Sequence, residues 1–356
     1  MLNSHFDQAE EHFQIIEANA KTTLDKAKVC RIKIQACKAS NQLEEAIAIG
    51  IRILAELGVS FPDNPSKPHV LKALLHTRLA LLGKTPEDLL NLPVINTPRI
   101  QAIMGFLLDI GVAAYYTKPY LLPLIACTAV RLSLRYGNAF ESAIMAYPTY
   151  GFILCSLPGK NIEKGYSLGA VALELHEKFN RGENPLPIYL VNNLLIHWKQ
   201  NTNTTLEPLR NAFHLSIKCG EIEIAANCAY AYSYRLFFLG HNLEETRSQQ
   251  IAYQEKLEQI DQKIPLYRHL IFRQSVENLL GNNEDPAVID GDCYNRDTFL
   301  PQHQHDADKT SLFIFNLMSM IQAYLFGRYK EAGQFGASAE TFLLNATSSI
   351  FVPIFH

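Results

Sequence analysis

Apolar residues recur at three- and four-residue steps along most of the chain. In Gln42–Leu57, the residues Leu43, Ala46, Ile47, Gly50, Ile53, Leu54 and Leu57 fall on one helix face. Gly58 ends that run, and Phe61-Pro-Asp-Asn-Pro65 with Pro68 makes a rigid turn. Ser66–Leu82 predicts the next helix. Thr85-Pro86-Glu87-Asp88 supplies an N-cap, a proline at the first helical position and acids in the first turn, opening a short helix that ends by Pro93. Thr97-Pro98 starts another, running to about Tyr116. Helical runs follow at Lys118–Tyr136, Phe140–Leu157, Asn161–Phe179, Pro187–Gln200, Thr204–Cys219, Ile222–Leu239, Leu243–Gln262 and Pro265–Leu280. Residues 281–308 are polar and read as an internal loop, after which helices resume at Lys309–Phe326 and Tyr329–Leu344. No alternating strand pattern interrupts them. The predicted class is all-α, a TPR-like helical-hairpin solenoid (an α-α superhelix) over residues 1–356 as a single array.

The array is inferred from a signature that recurs. An apolar or aromatic residue is followed three positions later by a small or apolar one, and four later by a third. The matches are Leu43/Ala46/Gly50, Ile162/Gly165/Gly169, Leu206/Leu209/Phe213, Leu243/Thr246/Gln250 and Tyr329/Ala332/Gly336, with a weaker one at Leu121/Leu124/Thr128. In chain order the central positions lie 78, 41, 44, 37 and 86 residues apart, which fits a period near 40 with two doubled steps. That period is longer than the ~34 residues of a tetratricopeptide repeat and close to the ~40–47 of HEAT-type repeats. Small residues at these positions allow antiparallel helices to approach closely, so all these residues are expected to pack between helices. Repeat arrays of this kind bind or relay rather than catalyse.

Composition narrows the picture. Hydrophobic residues make up 48% of the chain and charged residues 19%, enough apolar material for a large core. The formal net charge is -3 with scattered Lys and Arg, so neither nucleic acid nor an anionic membrane is an expected partner. Met1–Glu17 carries His5, Asp7, Glu10 and Glu11 where a signal peptide needs an apolar core. The longest apolar runs, Leu121–Val130 and Leu312–Met320, are shorter than a bilayer span of about 20 residues. Seven cysteines, mostly within helical patterns, suggest buried reduced thiols and a cytoplasmic protein.

Candidate chemistry is sparse. Leu157-Pro-Gly159-Lys160-Asn161 has a Gly-Lys pair but lacks the other features of a Walker A loop, and reads as a helix-breaking turn. His176-Glu177 has the dipeptide of a phosphoacceptor, but the following Lys-Phe-Asn suggests a helix end. His303-Gln-His305-Asp306-Ala-Asp308 has metal-binding residue types without ligand spacing, and reads as a solvated loop. Asp290, Asp292, Asn295 and Asp297 lack the glycine and glutamate of a calcium loop. Cys30 with Cys37, and Cys219 with Cys228, match no zinc or redox spacing. No catalytic, cofactor or metal residue is assigned. Tyr230, Tyr234, Phe237 and Phe238 share one helix face, with two readings: packing between repeats, or a groove that grips a partner helix or peptide.

Several segments together resemble one family. These are Glu45-Ala-Ile-Ala-Ile-Gly-Ile-Arg-Ile-Leu-Ala-Glu-Leu-Gly-Val-Ser-Phe-Pro62, Pro86-Glu-Asp-Leu-Leu-Asn-Leu-Pro93, Tyr136-Gly-Asn-Ala-Phe-Glu-Ser-Ala143 with Tyr147, and Phe326-Gly-Arg-Tyr-Lys-Glu-Ala332. They are similar to the helical-repeat region of cyanobacterial-type multi-domain serine/threonine and histidine hybrid signalling kinases. The resemblance implies an architecture of kinase domain, predicted AAA/STAND-type ATPase, helical repeats, then GAF and histidine-kinase modules. It covers nearly all of this chain but only the repeat region of that architecture. The kinase, ATPase, GAF and phosphoacceptor motifs do not occur here, so no catalytic residue carries over.

The expectation is therefore a non-catalytic scaffold, a piece of a larger signalling kinase whose partners are proteins or adjacent signalling modules. The apolar stretch Ser348-Ser-Ile-Phe-Val-Pro-Ile-Phe-His356 is expected to seek a partner or a capping repeat. A stand-alone TPR-like adaptor unrelated to kinases is the second reading, and an enzyme with an unrecognised site the third.

Overall fold

The computed structural model describes residues 20–40, 42–157, 161–179, 184–306, 308–346 and 348–356. The readings of Met1–Glu17 and of the Gly159-Lys160 pair fall outside them. Among the described residues there is no strand, only an isolated bridge between Val94 and Asn138. Among the described residues no helix is long and apolar enough to cross a membrane. In chain order the helices are α1 (Thr23–Ala39), α2 (Leu43–Glu56), α3 (Lys67–Ala80), α4 (Pro86–Leu90), α5 (Pro98–Thr117), α6 (Leu121–Tyr136), α7 (Tyr147–Ser156) and α8 (Ile162–Lys178). They continue as α9 (Leu186–Leu194), α10 (Leu206–Cys219), α11 (Ile222–Phe238), α12 (Leu243–Gln259), α13 (Lys263–Leu279), α14 (Arg296–His305), α15 (Lys309–Leu325), α16 (Tyr329–Glu340) and α17 (Phe351–Phe355). The sequence pattern predicts one array. The structure divides it into two compact units: Met1–Leu154 with Glu163–Asn180, and Cys155–Ile162 with Arg181–His356.

In the first unit α1 pairs with α2, both pack on α5, and α6 is flanked by α3 and α5. Gly50 explains the closeness of α2 and α5, because a β-carbon there would overlap the Ile110 side chain. The Arg99 guanidinium donates to the Leu57 carbonyl at 2.5 and 2.9 Å, holding the end of α2. Thr85 forms a reciprocal capping box with Asp88 at the start of α4.

Two segments of the family-like wording meet in this unit. The Asn138 amide nitrogen donates to the Leu89 carbonyl at 2.6 Å, and its side-chain oxygen accepts from the Tyr147 hydroxyl at 2.8 Å. The Asn138 backbone donates to the Pro93 carbonyl at 2.7 Å, and Ile95 donates to the Asn138 carbonyl at 2.8 Å. Gly137 ends α6 at φ +106°, and a β-carbon there would run into the Pro93 carbonyl. Only glycine meets both demands. Ser142, in a π-helical turn over Ser142–Ala146, accepts from the Ala139 backbone at 2.9 Å. Leu89, Ile95, Asn138, Ala139, Ser142 and Tyr147 are buried and Pro93 lies at the exposed rim, so most of these hydrogen bonds lock the segments together from inside.

In the second unit α11, α13 and α15 pack side by side as one layer. Outside that layer, α10 and α12 pack on α11, α12 on α13, and α14 and α16 on α15. The layer helices are buried on most sides, while α10, α12 and α16 bury a single stripe. This is the helical-hairpin repeat that the periodicity predicts.

One element departs from the sequence reading. Within the expected loop 281–308, residues Arg296–His305 form α14. Asn295 caps it by accepting from the Thr298 backbone at 2.8 Å, and Asp290 accepts from the Arg296 backbone at 2.9 Å. The rest of the segment is fastened to α13. The Gln274 side-chain oxygen accepts from the backbones of Cys293 and Tyr294, and Asn278 donates to the carbonyls of Pro286 and Val288. Polar residues here replace solvent with protein partners, which is why composition alone reads as loop.

Candidate functional site

The aromatic face of α11 is the sequence-predicted feature with most structure around it. Tyr230 and Tyr234 are four residues apart, their rings 5.0 Å from centroid to centroid in an edge-on pair. Phe237 and Phe238 lie one turn further on and meet Phe272 of α13 at 6.2 and 5.7 Å. Tyr234 also contacts Phe272, at 5.7 Å. Burial pushes the phenols of Tyr230 and Tyr234 up, Tyr230 well above the ordinary tyrosine value.

This face has an occupant from the same chain. Phe351 of α17 sits 4.7 Å from Tyr234, 6.1 Å from Phe238 and 6.0 Å from Phe272, with an interplanar angle of 16° to the last. Phe355 meets Phe313 of α15 at 6.0 Å. α17 therefore lies across α11, α13 and α15. Ser348 adopts a left-handed φ of +63° in the turn before it and donates to the Leu194 carbonyl at 3.3 Å. Phe351 and Val352 are buried. The apolar end expected to want a partner finds one within its own unit.

Beside the aromatics lies a buried cation held by neutral groups. The Arg235 side chain is fully buried, and its guanidinium donates to the side-chain oxygen of Asn193, to the Tyr234 hydroxyl and to the carbonyls of Ala231, Asn192 and Asn193, at 2.6 to 3.2 Å. Tyr234 in turn donates to the Asn193 side-chain oxygen at 2.6 Å. Amide and carbonyl dipoles thus do the work of a counter-ion. Burial, reinforced by the Arg235 charge, pushes His197 down to about 3, so it is neutral here. Its two ring nitrogens are buried without a hydrogen-bond partner.

The predicted repeat-packing residues fall into a consistent pattern with one exception. The central positions Ala46, Gly165, Leu209, Thr246 and Ala332 are all buried, as are Gly50, Gly169, Phe213 and Gln250. Leu43, Ile162, Leu206 and Leu243 are half-buried at the start of their helices. Phe213 of α10 meets Tyr253 of α12 edge-on at 5.3 Å. Gly336 is half-buried, and a β-carbon there would come 3.2 Å from the Met320 sulfur of α15. Tyr329 is the exception. It is 67% exposed and pairs with Tyr324 at 5.6 Å on the surface.

Other candidates resolve into structure. His176 is buried and stacks on Phe140 at 6.4 Å, and burial lowers its pKa. His303 is not in a solvated loop: it is buried on α14, parallel to the Tyr294 ring at 6.2 Å. Asp308 pairs with Arg268 at 2.7 Å and caps α15. Among the described residues no group of three or more His, Cys, Asp or Glu is placed to hold a metal ion. Cys30, Cys37, Cys127, Cys155 and Cys228 are buried free thiols, while Cys219 is exposed and Cys293 half-buried. Phe272, Phe351 and Arg235 are the residues sequence reasoning missed. Phe351 gave a signal in the apolar Ile350–Phe355 run, but nothing local marks where that run docks.

No family model matches the chain, and no curated protein matches it. Among solved structures the chain is similar to the crystal structure of a Rap protein complexed with competence and sporulation factor. The TM-score is 0.47 at 11% sequence identity, over 89% of this chain and 98% of that one.

Proposed function

We propose that this chain is the non-catalytic helical-repeat region of a signal-transduction kinase, a cytoplasmic scaffold that grips short apolar helical segments on the aromatic face of α11 and α13. The observation that carries the gripping role is Phe351 inserted among Tyr234, Phe238 and Phe272. A five-residue helix has no stability of its own in water, so α17 takes its shape from that face. Tyr230, Tyr234, Phe237 and Phe238 are the partner face in this reading, and α17 is the segment a partner replaces. The kinase setting is supported by the wording of Pro86–Pro93 and Tyr136–Ala143, which meet in one buried hydrogen-bonded knot around Asn138.

The test uses a fluorescent peptide of residues 348–356 and the full chain carrying Phe351→Asp, chosen to release α17 from the face. The variant should bind the peptide saturably and the parent much more weakly. No binding to the variant would remove the gripping role. For the kinase setting, neighbouring coding sequence for kinase, ATPase or GAF modules is the expected finding.

A further inference from the structure

A second surface, in the other unit and independent of the aromatic face, carries its own inference. α3 is apolar on two sides. Leu74, Thr77 and Leu81 are buried, and the helix packs on α6 with Arg131 donating to the Thr77 hydroxyl at 3.0 Å. Away from that contact Leu71, Leu75, Leu79 and Leu82 are 64, 56, 58 and 76% exposed. At 100° per residue Leu71, Leu75 and Leu79 span about 80° of arc over roughly 12 Å of α3, and Leu82 follows in the turn just past its end. Isolated exposed leucines are ordinary, but a four-residue ridge on an anchored helix marks a contact surface.

The charges beside the ridge select what sits on it. Lys67 and Arg78 border one edge and Lys72 the other, all exposed, and α3 contains no Asp or Glu. Two copies of α3 laid together would oppose like charges along both edges, which disfavours a second copy of this chain. A membrane surface fits less well than a helix. The ridge has no Trp, Tyr or Phe to sit at the headgroup level, and the opposite side of α3 is already packed. We infer that the Leu71-Leu75-Leu79-Leu82 ridge of α3 docks an acidic amphipathic helix of a partner protein, whose apolar stripe meets the leucines and whose Glu or Asp residues flank Lys67, Lys72 and Arg78. The leucines supply the affinity, and the cations set orientation and partner choice.

The full chain is titrated with a fluorescent helical peptide bearing a leucine stripe edged by glutamates, and with the same peptide edged by lysines. Vesicles of phosphatidylcholine with phosphatidylserine form a third arm, and the chain's own oligomeric state is measured alongside. The acidic peptide should bind saturably and weaken with salt. Leu75→Ser with Leu79→Ser should lower its affinity at least about tenfold, because it takes two apolar side chains out of the covered stripe. Lys72→Glu with Arg78→Glu should switch preference to the lysine-edged peptide, a readout that a loss of fold would not produce. Equal affinity for both peptides overturns the inference, as does no saturable binding of the acidic one. Preferential vesicle binding, or self-association lost in the leucine variant, overturns it equally.

Discussion

The ring of Phe351 lies 4.7 Å from that of Tyr234, centroid to centroid, although the two residues are more than a hundred positions apart in the chain. The contact closes the aromatic layer of the second unit with a helix too short to stand alone. It also makes the end of the chain answerable to what happens on α11. Replacing Phe351 by alanine should release α17 while leaving α11, α13 and α15 folded. Hydrogen exchange is the check: amides of 348–356 should lose protection, while those of α13 keep theirs. Collapse of protection across the whole unit would show instead that α17 is integral to the core.

Asn138 satisfies two buried partners at once, the Leu89 carbonyl and the Tyr147 hydroxyl. Asn138→Ala should destabilise the first unit by about 2–4 kcal/mol, since each buried group left unpaired costs about 1–3 kcal/mol. Tyr147→Phe removes one of the two hydrogen bonds and should cost less, about 1–2 kcal/mol. Urea midpoints of the two variants should fall in that order.

Two glycines test close approach against backbone freedom. Gly137 and Gly220 both have positive φ, at +106° and +75°. A β-carbon at Gly137 meets the Pro93 carbonyl, whereas at Gly220 it meets nothing within 4 Å. Gly220→Ala should cost about 1 kcal/mol from backbone strain alone. Gly137→Ala should cost clearly more, because the Pro93 contact must break as well. Equal losses in thermal midpoint would show that the approach to Pro93 is not constraining.

The buried histidines give the fold a sign in pH. His269 is fully buried and donates from Nε2 to the Gln250 carbonyl at 2.9 Å. Burial holds it down to about 4, with Arg273 adding to the effect and the Gln250 hydrogen bond opposing it. The unfolded chain takes up that proton near pH 6.5, the folded chain only near 4. Between those values the unfolded state binds more protons, so stability falls as pH drops through the window. His269 alone should account for about 2 kcal/mol between pH 7 and pH 5. His303, also pushed down by burial, adds in the same direction. Urea unfolding at both pH values checks this, and His269→Gln should flatten the slope.

Local rules made most of the fold legible. Apolar spacing located α2, and proline at the first helical position with an acid-rich turn located α4. α14 was hidden because Asn295, Asp297 and the His303–Asp308 run look solvated, and Pro301 inside it argues for a break. What folds that segment is non-local, namely Gln274 and Asn278 reaching from α13. The same distinction governs the candidate site. A single helix pattern puts Tyr230, Tyr234, Phe237 and Phe238 on one face. Nothing in that pattern could supply Phe351, or reveal that Arg235 between them is held by the carbonyls of Asn192 and Asn193.

The tethering of α17 sets a threshold. A segment joined to its own docking face competes there at an effective concentration on the order of millimolar, whatever the concentration of free ligand outside. In the proposed gripping role, any partner for the same aromatics must displace that resident helix, so ligands of weak intrinsic affinity are filtered out before they register. The length of the connection between α16 and α17 then acts as a dial in that role. Lengthening it dilutes the resident helix and lowers the threshold without touching a single residue of the face.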